Sequence, residues 1–315
     1  MHHTGPLNLA QVLLDRGVDL CRKLGAPRLL SRCILWNGWN QLRQGNLAQA
    51  ETLIRESIEI NQTTGDRYAE AFWSAELGTV KGWMGYFDEG VHLISSCIPI
   101  FTELGLKQEA TLNILRRGLF KTNLMDFNQA SLDFQNCLSS SYELNYQRGI
   151  GLAIYGMGGI SLNDGNYNQA EELYLQALCI LNGVQEDEAG WCLALLVYTM
   201  RLMGDSARGW KYAYQGLELA RSAHVYHSAA MTILGIAALL ADKGEVERAI
   251  EFHALVMKYP LFKNSAWFHV IAGQSVETAS ANLPPDVVQA ARERGAEREL
   301  FATVEGLLME LSQHP

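Results

Sequence analysis

The sequence lacks the signatures by which a single chain usually announces catalysis. It contains no Gly-x-x-x-x-Gly-Lys-Ser/Thr loop to cradle a nucleotide, no His-Glu-x-x-His pair and no Gly-x-Ser-x-Gly elbow. No catalytic residue, cofactor or metal is therefore expected. The six cysteines, Cys21, Cys33, Cys97, Cys137, Cys179 and Cys192, never form a Cys-x-x-Cys pair and read as reduced, small core residues of a cytoplasmic protein. Long apolar runs are missing too. The longest, Ala229 to Ala241, is interrupted by Thr232 and falls short of the ~20 residues that span a bilayer, so no membrane contact is expected. No basic stretch followed by an apolar core opens the chain, which predicts no signal peptide. With a net charge of −9, a general attraction to nucleic acid is also excluded.

No Pro/Gly/Ser-rich linker or charge run divides the 315 residues, although a single compact core rarely grows to that size. A stack of repeats resolves the conflict, because each repeat buries its apolar face only on its neighbours. The repeat is visible as a ladder. Gly5, Gly45, Gly85, Gly165, Gly204 and Gly244 recur about every forty residues, with Met125 on the missing rung and one residue deleted before Gly204. Related residues follow the rungs, as in Gly45-Asn46-Leu47-Ala48-Gln49-Ala50 and Gly165-Asn166-Tyr167-Asn168-Gln169-Ala170.

Small residues stand seven before the rung, at Gly38, Gly78, Gly118 and Gly158, and five after it, at Ala50, Gly90, Ala130, Ala170, Gly209 and Ala249. This spacing predicts two antiparallel helices in close approach across a turn formed by the rung, where glycine takes the left-handed conformation that ends a helix. A second ladder, Gly25, Gly65, Gly105 and Asn145, with Gly183 near the next place, marks where each second helix stops. Strand alternation is absent, so the fold class is all-α.

The small residue midway along the first helix, the Gly-Asn/Asp-Tyr/Phe turn and the early alanine of the second helix resemble the tetratricopeptide repeat. Residues 31–60, 71–100, 111–140, 151–180, 190–219 and 230–257 carry the pattern. The resemblance implies a right-handed α-α superhelix, a solenoid of about six hairpins over residues 27–262. It would be led by a half repeat at 1–26 and closed by a helical cap at 263–315. Period and style are similar to the sensor domains of signal-transduction ATPases with numerous domains, the maltose-regulon activator-like and LuxR-type regulators.

Residues 7–24 align with a second helix whose partner would lie upstream, which predicts a larger protein. In the cap, 266–280 and 297–312 read as helices joined by Leu283-Pro284-Pro285-Asp286-Val287-Val288, with the charged run Arg292-Glu293-Arg294 between them.

In this repeat class the first helices line the concave surface. The positions facing it then include Arg32, Trp39, Phe72, Tyr155, Trp191, Tyr198 and Arg201, with Arg43, Trp83, Asn123 and Asn163 beside them. Aromatic faces next to Arg and Asn can stack on a sugar, base or peptide side chain while hydrogen-bonding its polar edge; equally, they can fill space between helices. Lys81, Arg116, Arg117 and Lys121 add positive charge that would favour an anionic partner or simply be solvated. Gly156-Met157-Gly158-Gly159 reads as helix packing, His224 and His227 lack a third metal ligand, and Glu186-Asp187-Glu188 reads as a solvated loop.

The expectation is a sensor domain that binds a small-molecule or peptide/protein inducer in its groove and controls autoinhibition of an upstream nucleotide-binding domain. The alternative is a protein-protein interaction scaffold with no allosteric role.

Overall fold

A computed structural model of the chain describes residues 6–62, 67–183 and 186–312. Gly5 of the first ladder and Gly65 of the second lie outside the described residues. Everything described is helix and short turn, with no strand among the described residues.

Helix α1 (Pro6–Leu24) precedes six hairpins: α2 (Pro27–Gln44) with α3 (Leu47–Gln62), α4 (Arg67–Trp83) with α5 (Phe87–Glu103), α6 (Lys107–Asn123) with α7 (Phe127–Glu143), α8 (Gln147–Asn163) with α9 (Tyr167–Asn182), α10 (Glu186–Leu202) with α11 (Ser206–Ala223), and α12 (Tyr226–Lys243) with α13 (Val246–Val256). The rungs are the turns. Gly45, Gly85, Gly165, Gly204 and Gly244 all have φ between 76° and 86°, and Met125 takes φ 64° in their place. On the second ladder Gly105 and Asn145 are left-handed as expected, while Gly183 is not, with φ −88°. His224 fills the corresponding position after α11 at φ 53°.

The first-helix glycines are sockets for a side chain sixteen residues later. A methyl group on Gly38, Gly118 or Gly158 would come within 2.7, 2.8 and 2.7 Å of Ile54, Phe134 and Tyr174, all three of them buried. Close helix approach is thus written into each repeat, and a large buried side chain fills each approach. One continuous apolar cluster runs from Phe87 to Leu308, while the first two hairpins have a smaller one built on Leu35, Leu42, Ile54 and Trp73.

Beyond α13 the repeat gives way. Short helices α14 (Pro260–Lys263) and α15 (Ala266–Phe268), the latter continuing through a π-helical stretch (His269–Gly273), lead into α16 (Gln274–Ser280), α17 (Pro285–Glu297) and α18 (Leu300–Ser312). The expected connector between the last two helices is itself helical, because Pro285 supplies the fixed φ of a first helical residue. The cap is tied to the array by Glu251, which accepts from Arg294 at 2.7 Å and from Arg298 at 2.6 Å, and by Phe301 stacked on His224 at 3.9 Å.

The array also meets itself. Tyr226 and Tyr259 lie against the turn at Gly45, His227 against Trp83, and Asn264 against the turn at Gly85. No described helix is long and apolar enough to cross a membrane. Of the cysteines, Cys21, Cys97, Cys137 and Cys192 are buried, Cys33 is half-buried, and Cys179 is exposed, contrary to a core reading for all six. Burial raises the Cys137 thiol to about 11 and the Cys192 thiol further, which keeps both protonated and inert.

Candidate functional site in the concave wall

The first helices of five successive hairpins converge on one small cavity. Trp83 comes from α4, Phe120, Thr122 and Asn123 from α6, Tyr155, Gly156 and Gly159 from α8, Trp191 and Leu195 from α10, and Met231 from α12. A sixth side is supplied by Leu261, Trp267 and Phe268, which come from the segment after the last hairpin. The enclosed space is about 50 Å³.

Glycines set the wall. A Cβ on Gly156 would strike the Phe134 ring at 2.4 Å, and one on Gly159 would touch the Trp267 indole at 3.5 Å. The run Gly156 to Gly159 therefore makes room for aromatic rings on both sides of α8, as expected from its place on the packing ladder.

The rings form a connected set. Trp83 lies 5.3 Å from Trp191, 6.2 Å edge-on to Phe120 and 4.4 Å from the imidazole of His227. Tyr155 lies 6.0 Å from Trp191 and 5.8 Å from Tyr174. No charged side chain lines the space. Three buried polar atoms of lining residues nevertheless make no hydrogen bond within the protein: Nε1 of Trp191, Nε1 of Trp267 and Oδ1 of Asn123. Two donors and one acceptor in an apolar wall are costly to leave unmatched, at about 1–3 kcal/mol each. The Asn123 amide is held in place by its other end, since Nδ2 donates to the Leu119 carbonyl at 2.8 Å.

Of the residues expected to face the groove, Trp83, Asn123, Tyr155 and Trp191 meet in this cavity. Trp39 sits apart, donating from Nε1 to Glu76 at 2.6 Å beneath the Arg116 guanidinium, which itself pairs with Glu76 at 2.8 Å. Arg43 is half-buried and near enough to His227 for its charge to act on that imidazole. Phe72 packs against Tyr68 and Trp73 of its own helix α4. Arg32 is exposed, and Asn163 is half-buried with Nδ2 turned to Asp164 at 3.4 Å. Tyr198 is fully buried, and its hydroxyl donates to the Met231 carbonyl at 2.6 Å. Arg201 clasps Asp242 at 2.6 and 2.9 Å and reaches the Ile271 carbonyl at 3.5 Å, so it braces the cap.

The basic residues near the middle are internally neutralised. Lys81 pairs with Glu51 and Glu89, Arg116 with Glu76, and both Arg117 and Lys121 with Asp133. They offer no positive patch to an anionic partner. Nor is Glu188 part of a solvated loop: it is buried on α10 and accepts both Arg148 Nε, at 3.0 Å, and Nη2, at 2.5 Å. Arg148 and Glu188 lie one period apart on neighbouring first helices, as do Arg116 and Glu76.

His224 and His227, three residues apart, point to different surroundings; among the described residues no cluster of three or more His, Cys, Asp or Glu could hold a metal. His227 is buried between Trp83 and Tyr226, and burial, reinforced by Arg43, pushes its pKa down to about 3. Sequence reasoning missed His227, Phe120, Trp267 and Phe268 as partners of the cavity. Phe120 is one residue off the expected face, and nothing in the periodicity reports where a segment beyond the repeats will dock.

No protein-family model matches this sequence, and no curated protein does. Solved structures do resemble the fold. A Rap protein complexed with the competence and sporulation factor superposes with a TM-score of 0.70 at 13% identity, covering 97% of this chain and 87% of that one. The quorum sensor NprR in complex with its cognate peptide NprX gives 0.59 at 12% identity, covering 96% and 83%. The Rap conjugation gene regulator of plasmid pLS20, in complex with the Phr* peptide, gives 0.56 at 15% identity, covering 91% and 74%. At these identities the likeness is one of fold: a tetratricopeptide-like helical solenoid.

Proposed function

We propose that this chain is a sensor domain that binds a peptide inducer in its concave groove. The observation that carries the reading is the aromatic cavity where five first helices meet, with two indole N–H donors and one amide oxygen lacking partners. An uncharged aromatic wall with a few convergent polar groups suits an apolar side chain flanked by peptide carbonyl and N–H groups. A phosphorylated or strongly anionic ligand does not suit it, because Lys81, Arg116, Arg117 and Lys121 are already paired. The solved structures with this fold that carry a peptide or factor support the same ligand class.

The finer reading keeps the chain in the cytoplasm as part of a signal-transduction ATPase or transcription regulator, where ligand binding relieves autoinhibition of an upstream nucleotide-binding domain. It rests on the resemblance in repeat period and style. Such control requires the ligand to favour one arrangement by its differential affinity, typically ~1–3 kcal/mol. No catalytic role is assigned to this chain.

Selection of random decapeptides on the full chain tests the reading, followed by calorimetry of the selected peptides against Trp83→Ala, Asn123→Ala and Trp191→Ala. Affinity is expected to fall about tenfold or more in the tryptophan variants. Unchanged affinity in all three removes the groove as the site; a partner protein captured at another face would favour the scaffold reading instead.

A further inference from the structure

The cavity is too small for the ligand just proposed. A cavity that admits one aromatic ring is about 150 Å³, and this one encloses about 50 Å³. One side of it is walled by the chain beyond the repeats. Between the end of α13 and the π-helical stretch, residues 259–268 (Tyr-Pro-Leu-Phe-Lys-Asn-Ser-Ala-Trp-Phe) cross the concave face. Tyr259 stacks on Tyr226 at 5.0 Å beside the turn at Gly45, Asn264 Nδ2 donates to the Gly85 carbonyl at 3.4 Å, and Leu261, Trp267 and Phe268 complete the cavity wall.

We infer that residues 259–268 are a built-in occupant of the groove, which an apolar, aromatic peptide displaces when it binds. The inference rests on the ligand-binding reading above and names both the chemistry of the ligand and the competitor it meets. Three observations converge. The occupant is itself a peptide of proline, leucine and aromatic residues with one lysine, so the groove already accepts that chemistry.

Its polar fit is incomplete, since the indole nitrogens of Trp191 and Trp267 make no hydrogen bond within the protein although each ring is more than nine-tenths buried. A ligand that supplies a carbonyl oxygen to Trp191 gains where the internal segment, which carries Trp267 out with it, does not. Finally, the segment can leave without taking the cap along. A turn at 257–259 separates it from α13, the π-helical stretch His269–Gly273 breaks the α-helical register between it and α16, and the cap keeps its own anchors: Glu251 with Arg294 and Arg298, Arg248 with Glu310, and His224 with Phe301.

Native-state hydrogen exchange on the full chain tests the displacement directly. Amides of 261–263 and 266–268 are expected to exchange by local opening about a hundredfold faster than those of α12. A fluorescein-labelled synthetic decapeptide with the sequence of residues 259–268 is then titrated onto the wild type and onto Asn264→Ala. The variant, whose own segment is held less firmly, is expected to bind it about tenfold more tightly. Exchange of the segment only at the rate of α12, or equal decapeptide affinity for both proteins, overturns the inference. If selected peptides lose affinity in the tryptophan variants while residues 259–268 stay protected, the groove still binds peptide and only the displacement fails.

Discussion

Gly85 and Gly165 occupy the same rung in repeats two periods apart and differ in one respect. Both are left-handed, with φ 80° and 76°, but a Cβ on Gly85 would lie 2.4 Å from the Pro260 carbonyl oxygen, whereas one on Gly165 has nothing within 4 Å. Gly165→Ala therefore meets backbone strain alone and should cost about 1 kcal/mol. Gly85→Ala meets the same strain plus a clash with backbone, and should cost at least about 1 kcal/mol more. Urea denaturation of the two variants checks the order, and equal losses would mean that Pro260 does not bear on the turn.

His227 gives a second residue-scale expectation. In the folded chain it takes a proton only near pH 3, while in the unfolded chain it does so near its ordinary 6.5, so the unfolded state holds more protons between those values. Acid then favours unfolding across that window. The contribution of His227 to stability should be complete above pH 6.5 and fall by about 2 kcal/mol between pH 7 and pH 5. His227→Phe should flatten the pH dependence of denaturation over that range, and an unaltered slope would contradict the burial of a neutral imidazole.

At the scale of elements, the hairpins were legible because their physics is local. A left-handed rung, a glycine socket and the side chain sixteen residues on recur in one register, so helix, turn and close packing can be read together from Gly38, Gly45 and Ile54. His224 was not legible as a helix end, since neither glycine nor asparagine marks it. The ion pairs between neighbouring first helices escaped as well, because Arg148 and Glu188 are distant in sequence and Glu188 sits in an acidic triplet that reads as surface. That pair predicts a double-mutant cycle. Arg148→Met alone removes the bidentate partner of the buried Glu188 carboxylate and should cost about 2 kcal/mol, a figure reduced for the partial exposure of the arginine. Adding Glu188→Gln should recover much of the loss in urea denaturation, and strictly additive losses would mean that the two side chains do not interact. About a third of the expected groove residues reached the cavity, and the reason is geometric: the period says which helix lines the inside, while the wall opposite comes from α14 and α15, whose docking is tertiary.

Taken whole, the molecule is a solenoid whose inner face is occupied by its own chain. The first hairpins meet the start of α12 at Gly45, Trp83, Tyr226 and His227, and residues 259–268 lie across the same face. An open groove lined by exposed aromatics is the natural expectation from the repeat; the structure instead presents an aromatic cavity walled on one side by a short apolar segment, and under the proposal above ligand binding is an exchange of one peptide for another. The structure of the full chain bound to a selected decapeptide tests this most directly. The account predicts an apolar side chain of the ligand between Trp83, Tyr155 and Trp191, with residues 259–268 withdrawn from the groove. A ligand seated elsewhere on the solenoid, over a cavity still walled by Trp267 and Phe268, would contradict it.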